Sequence, residues 1–224
     1  MNPIRIAAVG DVHSPRFLTE FHSALARCQK PDLFLFAGDM VSRGKADEFC
    51  NVIEAVTSKY GIDLPIVACL GNEDPHMAQN ELQDIVENRI VFLEDESTII
   101  DIRGTKIGLV GISATRITQH KPHSKNVDSL KTFIEARASR LTKLLQSTSK
   151  LSDAVILLMH FSPLLENDPD KFSSLVSDAV TTSAPDFIIH GHVHDATRKK
   201  IEIGATTIMN VALPLAGSIT ELNI

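Results

Sequence analysis

The sequence is short of cysteine, of long apolar runs and of positive charge, and each shortage removes a class of protein. Cys28, Cys50 and Cys69 are odd in number, far apart and without C-x-x-C spacing. They fit reduced thiols in a cytoplasmic protein better than a disulfide framework. No stretch approaches the ~20 apolar residues that cross a bilayer. The longest run, Ala154 to Met159, stops at His160, and Ile4 to Val9 is too short for the apolar region of a signal peptide. With 22 basic against 28 acidic residues the formal charge is −6. This argues against affinity for long nucleic-acid phosphate tracts and leaves small phosphorylated ligands open. A Walker A loop, a G-x-G-x-x-G fingerprint and H-E-x-x-H are all missing, which removes the common ATPase, dinucleotide and zincin readings. Without a G-x-S-x-G elbow, Ser162 beside His160 does not read as a serine nucleophile.

What remains is a chain of 224 residues, 43% hydrophobic and 22% charged, read as one globular α/β domain over residues 1–224. Apolar runs rich in Ile, Val, Leu and Phe alternate with amphipathic segments, the pattern of strands joined by crossover helices. Strands are expected at Ile4–Val9, Asp32–Ala37 and Pro65–Leu70, with helices over Phe17–Cys28, about Lys45–Lys59 and around His76–Asn88. Shorter strands follow at Val91–Leu93, Thr98–Ile102 and Lys106–Val110, the last two joined at Arg103-Gly104 as a hairpin. Val127–Ser147 is the longest helix, with Val127, Leu130, Ile134, Leu141, Leu144 and Leu145 near one face. The basic residues toward its end suit the helix dipole. Strands then come at Val155–Met159, Asp186–Ile189, Lys199–Ile203, Thr206–Val211 and Ser218–Leu222. The two strand-rich halves should form two sheets packed face to face with helices outside.

The strands read as fully buried each end in a polar cluster. Ile4–Val9 runs into Gly10-Asp11-Val12-His13, Leu33–Ala37 into Gly38-Asp39, and Ile66–Leu70 into Gly71-Asn72-Glu73-Asp74. Val155–Met159 ends in His160, and Phe187–Ile189 in His190-Gly191-His192-Val193-His194. Ligands collect outside the carboxyl ends of strands in open α/β sheets, so these tips should meet. Asp11 with His13, and His192 with His194, sit two apart and would leave an extended backbone on one side. The glycines before them allow sharp turns or φ > 0. Asp, Asn and His in mixture suit Mn²⁺ first, with Fe, Zn²⁺ or Ni²⁺ as alternatives, better than Ca²⁺. Seven side chains are too many for one tetrahedral ion, and divide between two if a carboxylate bridges.

The ordered set GDVH, GD, GNED, a lone His and GHVH resembles the calcineurin-like metallophosphoesterase family, whose pattern is D-x-H, G-D, G-N-H-D/E, H and G-H-x-H. The resemblance spans Asp11 to His194. It implies a four-layer α/β/β/α sandwich with a dinuclear metal centre at the strand C-terminal ends. Asp11, His13, Asp39 and His194 would hold one metal and Asp39, Asn72, His160 and His192 the other, with hydroxide activated between the two attacking a small phosphorylated substrate. Glu73 stands where the family has the histidine assigned to the leaving group, so Glu73 or Asp74, with His76 nearby, become the candidate acids. Relatives lacking that histidine resemble phosphodiesterases more than phosphomonoesterases. A protein-binding scaffold of the same fold is the alternative, and a nuclease a weaker one. Arg116 and His120, in the basic loop Arg116–Lys125, are candidate contacts to a substrate phosphate, against a simpler reading as solvated loop. His190 reads as structural, and His22 as surface.

Overall fold

The computed structural model describes residues 3–74, 79–87, 89–112, 114, 127–166 and 168–224. The amino-terminal half alternates strand and helix: β1 Arg5–Val9, α1 Leu18–Arg27, β2 Leu33–Ala37, α2 Glu48–Tyr60, β3 Ile66–Cys69, α3 Gln79–Ile85 and β4 Val91–Phe92. A hairpin follows, β5 Glu96–Ile102 and β6 Thr105–Ile112, then α4 Val127–Ser149 and β7 Ala154–Met159. The rest comprises β8 Leu164–Leu165, β9 Asp168–Phe172, α5 Ser177–Thr182, β10 Phe187–His190, β11 Lys200–Ile203, β12 Thr206–Asn210, α6 Leu213–Ala216 and β13 Thr220–Asn223.

These strands build a five-stranded sheet of order β13-β1-β2-β3-β4 and a six-stranded sheet of order β11-β12-β10-β7-β6-β5. The pairs among β1 to β4 are parallel, as are β6/β7, β7/β10 and β10/β12, while β13, β5 and β11 join antiparallel at the edges. Strand periodicity explains the layering. Leu33, Leu35 and Ala37 of β2 face the second sheet, meeting Ile107, Leu109, Ile156 and Leu158. Phe34 and Phe36 leave the opposite face and pack with Phe21 and Leu25 of α1 and Phe49, Val52 and Ile53 of α2. The outer face of the second sheet, Val110, Val155, Leu157 and Ile188 among others, is covered by Leu141 and Leu145 of α4 and Ala179 and Val180 of α5. The result is the expected α/β/β/α sandwich, with parallel strands buried on both faces.

Several expectations need correction. The sheets do not divide the chain into halves: β13 returns to pair with β1, Ile6 opposite Leu222, and β4 completes the first sheet beside β3. The β8–β9 hairpin was not legible, because Asp168-Pro169-Asp170 carries neither apolar alternation nor strand propensity. The arginines of α4 serve a partner other than the helix dipole, since its last turn holds no basic residue. Arg137 forms a bidentate pair with Asp95, both buried, and Arg140 Nε donates to the Asp95 carbonyl at 2.8 Å. Among the described residues no helix is long and apolar enough to cross a membrane.

Candidate metal centre

The loops that leave β1, β2, β3, β7 and β10 at their carboxyl ends are stitched to one another through the backbone. Asp11 N–H donates to the Gly38 carbonyl at 3.0 Å, His13 N–H to Asp39 O at 2.9 Å, and Gly191 N–H to His160 O at 3.1 Å. His160 Nδ1 meets Ala37 O at 3.0 Å, joining the second sheet to the first. Asp11, His13, Asp39 and His192 have φ of 60°, 45°, 51° and 69°, half of the eight non-glycine positive-φ residues described, so backbone strain is concentrated at this edge. Left-handed turns, rather than the expected extended alternation, bring Asp11 and His13 together.

The glycines act mainly by close approach. A Cβ on Gly71 would lie 2.1 Å from Asp39 Oδ1, and one on Gly191 2.3 Å from Asp11 Oδ2. The two carboxylates rest where any larger residue would put its side chain.

Two groups of donor atoms result, each within 4.8 Å: Asp11, His13 and His194, and Asp39, His160 and His192. In the first, His194 Nε2 lies 2.9 Å and His13 Nε2 3.7 Å from Asp11 Oδ1. In the second, His160 Nε2 faces Asn72 Oδ1 at 3.1 Å, His192 Nδ1 at 3.2 Å and Asp39 Oδ2 at 3.3 Å. Asp39 Oδ2 is also 3.9 Å from His13 Nε2, so this carboxylate stands between the groups. All seven side chains proposed as ligands from the sequence therefore converge.

The charge pattern asks for a cation. Asp11 and Asp39 are buried, and the ion-pair partners found for them among the described residues are imidazoles. With Nδ1–H donated to Ala37 O, a neutral His160 turns a bare Nε2 toward Asn72 Oδ1, His192 Nδ1 and Asp39 Oδ2. Burial disfavours an imidazolium there, yet the hydrogen bond and charge of Asp39, with Asp11 behind it, carry the His160 pKa up to about 9. Asp39 also loses solvation on burial, but His160 and the Glu73 N–H, at 2.7 Å from Oδ1, hold its pKa below the usual carboxylate value. Burial and the neighbouring His160 push His192 down, and the hydrogen bond to Asp11 lifts His194. A proton at His160 relieves the same crowding of lone pairs that a divalent cation would, so the donor set fits metal.

Asp74 is buried, and its carboxylate accepts from the N–H groups of Gly71 at 2.7 Å, Asp39 at 2.8 Å and Val41 at 3.1 Å. It ties the loops after β2 and β3 together. Burial and the Asp39 charge raise its pKa to about 7 against those hydrogen bonds. Glu73, by contrast, is 42% exposed at the rim, its Oε2 3.6 Å from His13 Nδ1. His190 is buried with Nδ1 2.9 Å from the Gly191 carbonyl, and burial drives its pKa down to about 4, a neutral structural imidazole. Sequence reading missed Asn210, whose Nδ2 holds the Val193 carbonyl at 2.8 Å between His192 and His194. Its signal was its place: β12 too ends in a polar residue. Arg116, His120 and His76 lie outside the described residues.

Residues 4–196 match the family model of the calcineurin-like phosphoesterases. The chain belongs to that family. A search of the curated proteins gave no match. Among solved structures, TT1561 of Thermus thermophilus superposes with a TM-score of 0.60 at 13% identity, covering 99% of both chains. GAP50, the anchor in the inner membrane complex of Plasmodium, does so with 0.63 at 16% identity, over 95% of this chain and 72% of its own. Haemophilus influenzae NAD nucleotidase gives 0.58 at 12% identity, over 99% of this chain and 49% of its own. At such identities the likeness is one of fold, and the family's dinuclear chemistry has its counterpart here in the two donor groups.

Proposed function

We propose that Asp11, His13, Asp39 and His194 hold one divalent cation and Asp39, Asn72, His160 and His192 a second, and that the pair serves hydrolysis of a phosphodiester or activated phosphate ester. The supporting observation is the convergence on His160 Nε2 of Asn72 Oδ1 at 3.1 Å, His192 Nδ1 at 3.2 Å and Asp39 Oδ2 at 3.3 Å, four metal-ligand atoms gathered around one point. Nitrogen and oxygen donors without a thiol suit manganese first, then iron, zinc or nickel; the nearby Cys69 is fully buried, its thiol pushed well up by burial. Two such cations supply Lewis acidity, acidifying water and neutralising charge on the phosphoryl oxygens.

The protein's own share is placement. Asp74 and the Ala37 carbonyl fix the loops and the His160 ring, and the strained turns at Asp11, Asp39 and His192 keep the donors from relaxing away. His194, 39% exposed, and Glu73 mark the open side. A cavity of about 640 Å³ adjoins His192 and His194, bordered by Leu164, Val193 and Ile201 with Ser162 and Arg198, room for the organic part of a small substrate. A groove between α4 and α5 is larger, about 1170 Å³, but contains none of the donor residues.

Glu73 favours the diester. A phosphate monoester brings two negative charges near neutral pH and a diester one, so a carboxylate at the entrance repels the monoester more. Without the family's histidine, ester groups that leave readily are favoured too. The scaffold reading draws on GAP50, described as an anchor; the complete set of seven donors favours the enzyme.

Metal analysis, paired with hydrolysis of bis-p-nitrophenyl phosphate and p-nitrophenyl phosphate under Mn²⁺, tests the reading. We expect two metal equivalents and diester activity that Asp39→Ala abolishes. Metal-free, inert protein would favour the scaffold, and monoester preference would remove the diester assignment.

A further inference from the structure

Glu73 is fastened to its surroundings at three points. Its N–H donates to Asp39 Oδ1 at 2.7 Å, its carbonyl accepts from Gly44 N–H at 2.8 Å, and its Oε2 accepts from Arg43 N–H at 3.3 Å. So held, the carboxylate stands beside one ring nitrogen of His13. Nδ1 lies 3.6 Å from Glu73 Oε2, while Nε2 on the other side of the ring looks toward Asp11 Oδ1 at 3.7 Å and Asp39 Oδ2 at 3.9 Å. The ring has little freedom. Its side chain is 7% exposed, its edges meet the rings of Phe17 and His194, and the loop that carries it is held where Ser42 Oγ donates to the His13 carbonyl at 2.9 Å.

A histidine that binds a cation through one nitrogen must carry its proton on the other, and a carboxylate facing that second nitrogen selects the tautomer and steadies the ring. We infer that Glu73 is a positioning residue: once a cation takes Nε2 and the His13 proton moves to Nδ1, the Glu73 carboxylate beside Nδ1 accepts that proton's hydrogen bond and steadies the ring. This rests on the metal assignment above and deepens it. The residue that departs from the family's pattern then serves the donor set through His13, with no proton delivered to a leaving group.

The role separates from two others by the choice of variant. Gln at position 73 keeps a carbonyl oxygen for Nδ1–H and for Arg43 N–H but is a poor substitute for a carboxylate bound directly to a cation. Ala keeps neither function. Titrating metal-free protein with Mn²⁺ by calorimetry should show Glu73→Ala weakened by roughly 10- to 100-fold and Glu73→Gln near wild type. In protein carrying ¹⁵N-histidine, two-bond ¹H–¹⁵N correlation reads which ring nitrogen bears the proton, with His13 assigned from the signals lost in His13→Asn. With Zn²⁺ bound, wild type and Glu73→Gln should show a single sharp His13 signal protonated at Nδ1, and Glu73→Ala, with no acceptor there, a His13 signal broadened by exchange. An affinity loss with the His13 signal still sharp and protonated at Nδ1 overturns the inference and assigns Glu73 to the ion itself or to the turn at Arg43. Unchanged affinity in Glu73→Ala overturns it as well. Should wild type bind no Mn²⁺, the phosphoesterase reading fails, whereas wild type that binds Mn²⁺ no better than Glu73→Ala overturns the inference alone.

Discussion

His160 concentrates the chemistry of the site in one ring. Its pKa of about 9 without metal exceeds the ordinary 6.5, so its protonated form stabilises the fold. That contribution is full below the unfolded value near 6.5 and is lost as the pH rises through about 9. In EDTA, thermal denaturation followed from pH 6.5 to 9.5 should therefore show falling stability. In saturating Mn²⁺ the decline should flatten, because the cation takes over the proton's place; a flat profile in EDTA would refute the assignment. At this scale the sequence was highly legible. Asp11, Asp39, His160 and His192 follow directly on apolar runs or their terminal glycines, and strand termini fix their first loop residues. The left-handed backbone at Asp11 and His13 was not legible, because it depends on loops from β2 and β3 that lie far along the chain. The three backbone N–H groups from which Asp74 accepts were not legible either, because they come from loops after two different strands.

Between the elements, the pair of Arg137 and Asp95 joins the middle of α4 to the start of β5. Arg137 and Asp95 side chains are 6% and 9% exposed, and Asp95 adopts φ of 58° at the corner before the hairpin. Removing one partner of a buried ion pair strands the other charge, at a cost of about 3–5 kcal/mol. Asp95→Ala should lower the urea midpoint accordingly, whereas an exposed pair such as Lys200 with Glu202 should contribute little. A loss under about 1 kcal/mol for Asp95→Ala, the scale of an exposed pair, would show that water reaches the guanidinium. Helical periodicity did not reveal this contact. It marked Leu141 and Leu145 correctly and passed over Arg137 four residues earlier, since a charged side chain on an apolar stripe reads as surface until its partner is known. The strands of the first sheet were easier: the five consecutive apolar residues of β2 fit a doubly covered strand, and all five are buried.

For the whole molecule, metal and fold should be thermodynamically linked. The donor groups come from both sheets, so unfolding either disperses them. A ligand that binds only the native state at about 100 times its dissociation constant adds about 2.7 kcal/mol per site. Mn²⁺ should raise the melting temperature in a concentration-dependent way, and Asp39→Ala should abolish most of the increase; an unchanged melting temperature would deny the linkage. Composition and periodicity revealed the layers, but not which strands would share a sheet, because pairing between distant segments leaves no local signature.

The return of β13 to β1 bears on how the protein is made. Gly10, next to Asp11, takes a hydrogen bond from Leu213 N–H and gives one to Val211 O, and Ile4 exchanges both of its backbone bonds with Ile224. During vectorial synthesis β1 thus waits until β13 has been made before one of its neighbours exists. Until then it presents an unpaired margin, apolar from Ile6 to Val9, of the kind that pairs readily with another copy.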